Sequence, residues 1–466
     1  MNVPTISPAS EAQYPDGLPP GQRGKAMVAV AIAIAISVLV GSIANVALPT
    51  IAHDMGVTPA ESIWVVNAYQ LAVTVSLMPC ASLGDIYGHR RVYIWGLVLY
   101  TAGSLLCALA PSMSVLIAAR MLQGLGGAGI MSVNGALIRF IFPRAQLGKG
   151  VGYNVLVVAM ASAAGPSVAA GIMSIASWPW LFGAQVPFGV LAWFLSLKYL
   201  PASPAGQHKF DPISAVLNAV ALGGLILGLD GIGRGQSVVW VLAQMAVGIA
   251  VGWVFVMRQL TLAAPMLPVD LFRRPLFALS VATASCVHAA QMIALISLPF
   301  YFQYEYGMTP IEIGLLITPW PAVLVVVGPL AGRLADRYPA GLLGGLGLAV
   351  MTLGLLLVLF MPEHASKLDI GWRLAVCGVG FGFFQSPNNR VLISSAPPDR
   401  AGAGSGMVST ARLVGQTIGS ALVAVVFGLS HDASDPVATG THIAIGLAAG
   451  FAGLGMVLSW ARLGKR

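Results

Sequence analysis

Residues 26–51 read AMVAVAIAIAISVLVGSIANVALPTI, a run without a single charge. At about 1.5 Å per residue, a helix of this length exceeds the ~30 Å hydrocarbon core of a bilayer. A cleaved leader has a much shorter apolar centre, so the run predicts a spanning helix. The stretch before it, Pro4 to Lys25, is polar and rich in proline. It predicts a disordered tail over residues 1–25.

The same pattern recurs along the chain. Of 466 residues, 57% are hydrophobic and 9% charged, against about 25% charged in soluble domains. A water-facing surface cannot be built from so few charges, and disorder is excluded on the same grounds. Apolar segments predict fourteen spans, at 26–49, 62–83, 92–110, 113–138, 149–173, 179–200, 211–230, 237–259, 276–302, 311–333, 340–360, 370–390, 405–429 and 440–462. The fold class is therefore all-α and membrane-embedded. The stretch Leu262–Arg274 breaks the rhythm with Pro265, Pro268, Arg273 and Arg274, and predicts an interfacial loop over 261–275.

Placing the basic residues gives an orientation. With the N-terminus inside, 19 of the 24 Lys and Arg residues fall in cytoplasmic segments. Arg234, Lys367 and Arg373 are external, and Arg120 and Arg412 fall within helices. That bias predicts cytoplasmic N- and C-termini in a multi-pass protein of the cell membrane. The net charge of +8 is thus spread over short loops rather than gathered on a nucleic-acid face. Cys80, Cys107, Cys286 and Cys377 all lie in apolar segments, without metal-ligand spacing. They read as small buried hydrophobes, and no metal site is expected.

A repeat is visible. Ser82-Leu83-Gly84-Asp85 follows the second span and Arg333-Leu334-Ala335-Asp336 the tenth. Gly124-Leu125-Gly126 precedes Asn134 as Gly378-Val379-Gly380 precedes Asn388. This predicts a six-helix half over 26–200, two inserted helices over 211–260, and a second six-helix half over 276–462. Duplicated halves around a central site are a transporter design.

The segment Ala81-Ser-Leu-Gly-Asp85-Ile-Tyr-Gly88-His-Arg90-Arg91 carries more. Gly88 supplies a tight turn, Arg90 and Arg91 anchor the loop, and Asp85 can meet a helix N-terminus or an arginine as a breakable latch. This segment resembles the loop signature of the major facilitator superfamily. Arg120-Met-Leu-Gln123-Gly124-Leu-Gly126 resembles the family's helix-4 motif, and Gly165-Pro166 with Gly171 resembles its antiporter motif. Asn45-Val-Ala-Leu-Pro49, Trp64-Val-Val-Asn-Ala-Tyr69, Trp178-Pro-Trp-Leu-Phe182 and Pro265-Met-Leu-Pro268 are similar to the fourteen-spanner drug:proton antiporters. The resemblance implies two rocking halves, no cofactor beyond a proton gradient, a monomer, and export of small lipophilic substrates. It also implies a role in proton coupling for Arg120. A departure stands at Val40, where that family usually has an Asp.

Val40 removes the expected mid-membrane acid. All sixteen acidic residues fall near membrane interfaces or in loops, with Asp230 and Glu305 coming closest to the bilayer. Arg120 lies within a span, where a charge costs about 2.5–3.5 kcal/mol and demands a polar partner. His288, near the middle of the ninth span, titrates in a range suited to carrying protons. Proton-coupling candidates are thus Arg120, His288, Asp230 and Glu305. Cavity candidates are Asn45, Asn67, Gln70, Asn134, Asn154, Gln291, Gln385 and Asn388. Phosphate-binding, zinc-protease and serine-hydrolase motifs do not occur, so no enzyme is expected. A cavity without a carboxylate favours neutral or anionic amphiphiles over organic cations. A carrier without proton exchange, or a receptor built on a transporter shell, are the alternatives.

Overall fold

The computed structural model describes residues 16–143, 146–203, 210–233, 235–262, 266–267, 269–362, 365–395, 401–430 and 433–463, without the side chains of 401–405. Pro265 and Pro268 lie outside these residues. So do Arg144, Lys209, Arg234, Arg400, Lys465 and Arg466. The described residues form no strands.

Fourteen long helical segments follow one another: α1 (Pro20–Met55), α2 (Pro59–Tyr87), α3 (His89–Ala108), α4 (Met113–Ile141), α5 (Leu147–Ile175), α6 (Trp180–Tyr199), α7 (Pro212–Gly233), α8 (Val238–Thr261), α9 (Pro275–Tyr304), α10 (Pro310–Leu334), α11 (Ala340–Leu359), α12 (Lys367–Ser394), α13 (Ala401–Leu429) and α14 (Pro436–Trp460). All but α12 carry a stretch long and apolar enough to cross a membrane. α12 has the length but gathers Gln385, Ser386, Asn388, Asn389 and Arg390 toward its end. The interfacial loop contains a short 3-10 helix, Val269–Arg273, whose Leu271 packs with Phe277, Leu392 and Met407.

The tail is shorter than the sequence predicts. α1 begins at Pro20, where proline suits a helix start. Before it, Leu18 N–H donates to the Ile141 carbonyl at 3.1 Å. The Arg23 Nε donates back to the Leu18 carbonyl at 2.5 Å. The chain is thus pinned against the end of α4 from residue 16 onward.

The repeat runs deeper than the sequence motifs. Thr58-Pro59-Ala60-Glu61 opens α2 with a capping box, and Thr309-Pro310-Ile311-Glu312 opens α10 with the same one. In each, threonine Oγ1 accepts from the glutamate N–H, and the glutamate accepts from the threonine N–H. Each box follows a glycine of positive φ, Gly56 at 63° and Gly307 at 59°. Equivalent glycines bring paired helices into backbone contact. A Cβ on Gly126 of α4 would collide with the Tyr100 backbone of α3, and one on Gly380 of α12 with the Met351 backbone of α11. Close approach of this kind is how helices associate without a hydrophobic driving force between them.

α7 lies between α2 and α13. Asn218 Nδ2 donates to the Val75 carbonyl of α2 at 3.0 Å. Leu71 of α2, Ile226 of α7 and Ala421 of α13 share a small core. At its end, Gly233 meets Gly428 of α13 backbone to backbone. α8 packs on α7 and leaves Val239, Trp240, Ile249 and Trp253 exposed, as a face turned to lipid is.

The bundle has a basic end, carrying the start of α1 and the α2–α3, α8–α9 and α10–α11 connections, and an opposite end. The two differ in closure. From Ser62 to Thr74, at the opposite end of α2, every residue is buried. From Val75 to Tyr87 only Leu77 and Gly84 are. In α5, Gly150 is the single buried residue before Ala161. Beyond it, Gly165, Pro166, Ala169 and Ala170 are buried. The helices thus pack together at the opposite end and part toward the basic end.

Candidate functional site

The seam that closes the opposite end joins α1–α6 to α9–α14. Thr74 of α2 lies 3.0 Å from Thr417 of α13, hydroxyl to hydroxyl. Gln70 Nε2 donates to Gln416 Oε1 at 3.4 Å. On the other flank, the Ser167 hydroxyl of α5 meets the Thr318 hydroxyl of α10 at 2.8 Å. Gly314 of α10 sits so close to α5 that a Cβ would lie 2.5 Å from the Pro166 carbonyl oxygen. Among the described residues, no hydrogen bond joins the two halves on the basic side of Thr74.

Arg120 stands inside the closed end, at the level of Val65, about two turns into α4 and fully buried. Its Nε donates to the Val65 carbonyl at 2.7 Å and one terminal nitrogen to Gln123 Oε1 at 2.5 Å. Gln123 Nε2 in turn donates to Ser104 Oγ at 2.7 Å. The guanidinium carbon lies 4.4 Å from the centre of the Tyr69 ring and 5.4 Å from that of Phe182. The second terminal nitrogen, Nη2, has no acceptor. Carbonyl, amide and two aromatic faces therefore hold this cation, with no carboxylate beside it.

Arg412 of α13 lies one turn from Gln416 toward the basic end. It is half-buried, its Nε has no acceptor, and its charge acts on Tyr69 and His288. From the sequence, Arg412 is placed within a helix but in no candidate site. The signal was present, since a lone basic residue in an apolar span carries the same cost as Arg120.

His288 of α9 is buried. Its Nδ1–H donates to the Ala284 carbonyl at 2.8 Å, its ring stands edge-on to Phe381 at 5.4 Å, and Nε2 has no partner. Asn67 is fully buried, and neither of its side-chain atoms finds a partner. Asn45 is buried with its oxygen unpartnered. Gln291 and Gln385 are half-buried.

Other expected cavity residues turn out to be spent on packing. Asn388 is buried, accepting from Arg462 at 2.6 Å and donating to the Ser280 carbonyl at 3.3 Å. Arg462 is itself 4% exposed. Asn134 Nδ2 donates to Asn154 Oδ1 at 2.9 Å, tying α4 to α5. Gly165 packs on Ser42 of α1, but a Cβ on Gly171 would meet nothing and the residue faces outward. Gly171 therefore takes no part in the close approach of its neighbours.

The loop between α2 and α3 stands unlatched where the halves part. Gly88 does turn with φ of 95°. Asp85, however, meets neither an arginine nor a helix N-terminus, but His89 Nε2 at 3.1 Å, and is 69% exposed. Arg90 is occupied within its own half, its side chain donating to the Leu197 carbonyl at 2.5 Å and its backbone N–H to Ser203 Oγ at 3.1 Å. Arg91 is exposed. In the second half the equivalent Asp336 does pair with an arginine, Arg390.

Of the two acids nearest the bilayer, Asp230 is buried rather than solvent-facing. It accepts from the Trp64 indole N–H at 2.5 Å, across from α7 to α2. A cavity of about 440 Å³ opens beside it between Glu61, Gly233, Phe427 and Val437. Glu305 follows α9 and shares its position with Asp435. Burial, then the Asp435 charge and hydrogen bond, raise its carboxyl above the usual range, and His442 opposes this. A raised folded value contributes stability in acid that is lost as pH rises through it. Thermal melts in detergent between about pH 4 and 7 should show the wild type losing stability relative to Glu305→Gln. Parallel curves would reject the pairing.

Known proteins place this architecture. The sequence profile described as the Major Facilitator Superfamily matches residues 17–420. An uncharacterized transporter of Escherichia coli, YebQ, is 49% identical over 450 residues, covering 96% of this chain and 97% of its own. The multidrug resistance protein Stp of Mycobacterium tuberculosis is 34% identical over 408 residues, covering 86% of this chain and 75% of its own. A bacterial homologue of the human lysosomal transporter Spinster, solved inward-facing and unoccupied, superposes with a TM-score of 0.69 at 13% identity, over 96% of this chain and 97% of its own. These are carriers, as the missing enzyme motifs lead one to expect. With fourteen helices in duplicated halves, the chain is a member of the Major Facilitator Superfamily.

Proposed function

We propose that this transporter exports small lipophilic molecules across the cell membrane by alternating access between two six-helix halves. The observation that carries the reading is the one-sided closure: a polar seam at one end, and helices that part at the basic end. The positive-inside rule makes the basic end, with both termini, cytoplasmic. The gap between the halves then opens inward, where a substrate for export is collected. The likeness to a multidrug resistance protein supports export over uptake, and a drug:proton antiporter by kinship. The protein works as a monomer, taking its energy from the proton gradient with no cofactor. Arg120, His288, Asp230 and Glu305 are the candidates for coupling, and Asp85 with Gly88, Arg90 and Arg91 for the inner latch.

One observation favours a second reading, carriage without proton exchange. The described acidic residues of the spanning helices, Asp54, Glu61, Asp85, Asp230, Glu312 and Asp369, all lie within four residues of a helix end. Inverted vesicles with a pH-sensitive dye inside separate the two. Substrate uptake with matching alkalinisation of the lumen supports exchange. Uptake unaffected by collapsing the pH gradient removes it.

A further inference from the structure

Two guanidinium groups lie near the seam, Arg120 inside the closed end and Arg412 one turn inward of Gln416, and among the described residues neither pairs with a carboxylate. Arg412 presents an Nε without an acceptor, half-buried at the point where the two halves part. Arg120 lies behind Tyr69 with its own unpartnered Nη2. Both charges act on Tyr69, with Arg120 stacked on its ring. Gln70, which meets Gln416 one turn from Arg412, is uncharged and neutralises neither. Buried cations without counter-ions are costly, and a bound anion is the simplest way to offset them.

We infer that the transported species is an aromatic or amphipathic organic anion, a carboxylate or sulfonate, whose acidic group is held by Arg412. The guanidinium fork matches two anionic oxygens at once. Arg120 supplies a second positive charge through the Tyr69 ring, and the ring offers a face to an aromatic body. This deepens the export reading above and rests on it for direction.

The assignment changes what the missing acid means. A cell interior is electrically negative, so an anion leaving it moves with the membrane potential. For one charge, 100 mV multiplies the equilibrium ratio by about fifty. An exporter of anions therefore needs no mid-membrane carboxylate to be driven, and Val40 at the usual acidic position is no defect. Any proton entering in exchange adds to the same electrical force.

The test uses the full chain in liposomes preloaded with one of four dyes: naphthalenesulfonate, fluorescein, ethidium or propidium. A potassium gradient with valinomycin sets the lumen about 100 mV negative, with no pH gradient. Release of at least one anionic dye should be at least about tenfold faster with the potential than without it, and neither cation should move. Arg412→Gln should bring anion release to the rate of protein-free liposomes. Arg412→Lys, which keeps the charge and loses the fork, should fall between. Elution profiles establish that both variants are folded. Anion release by folded Arg412→Gln at the wild-type rate overturns the site. Movement of ethidium or propidium under a pH gradient, with no anion moved, overturns the substrate class but keeps the export reading. Failure of all four dyes under both gradients overturns both. Anion release driven by potential alone keeps this inference and removes proton exchange.

Discussion

Arg120→Ala should abolish transport while leaving the protein inserted and folded. Its guanidinium makes charge-assisted bonds to the Val65 carbonyl and to Gln123, and stacks on Tyr69. Each bond to a charged group contributes about 1.5–3 kcal/mol, and the ring contact about 0.5–2. Truncation frees Tyr69, whose hydroxyl reaches the Ser37 carbonyl of α1 at 3.3 Å. The ring on which both arginines act then loses its fixed orientation. It also halves the charge near the seam. Folding should survive, because Gln123 keeps its bond to Ser104 and the glycine contacts between α3 and α4 are untouched. Dye flux in vesicles should drop at least about a hundredfold, which is a loss of about 2.8 kcal/mol. Arg120→Lys should rescue little, since an ammonium cannot span the carbonyl and the amide while stacked. A wild-type rate in the alanine variant would reject the role.

The second large effect is on the fold itself. Gly126→Ala places a methyl against the backbone of Tyr100 and Gly96, and Gly380→Ala against Met351 and Gly347. These neighbours are main chain in rigid helices, so neither can retreat as a side chain would. Overpacking of this kind costs about 1–3 kcal/mol or more. Both variants should elute as aggregate or melt several degrees lower in detergent. Gly171→Ala is the control, because its methyl meets nothing. It should be neutral or slightly stabilising, as Ala outscores Gly in a helix by about 0.5–1 kcal/mol. Equal melts for Gly126→Ala and Gly171→Ala would refute the account.

Helices were the readable part of this chain, because an apolar run and a charge at its end are local. The expected span 113–138 became Met113–Ile141, and 340–360 became Ala340–Leu359. The capping boxes at Thr58 and Thr309 were legible too, as a Thr-Pro-x-Glu repeated after a glycine, though only the Asp85 and Asp336 loops were noticed. Pairing was not readable. Asn388 meets Arg462 and Trp64 meets Asp230 because of how helix faces turn toward each other. Hydropathy along one chain does not report that. Arg412 is the instructive omission, since its cost in the membrane was as plain as that of Arg120.

The wedge formed by α7 has one last consequence. It is held to α13 by backbone contact at Gly233 and Gly428, and to α2 by side-chain bonds at Asp230 and Asn218. When the seam opens, strain falls on both attachments at once. Main-chain packing has no rotamer to yield, whereas an indole N–H needs only to swing away from its carboxylate. The side-chain bonds of Asp230 to Trp64 and of Asn218 to Val75 are therefore the fuses between α7 and α2, and α7 stays with α13 after they break.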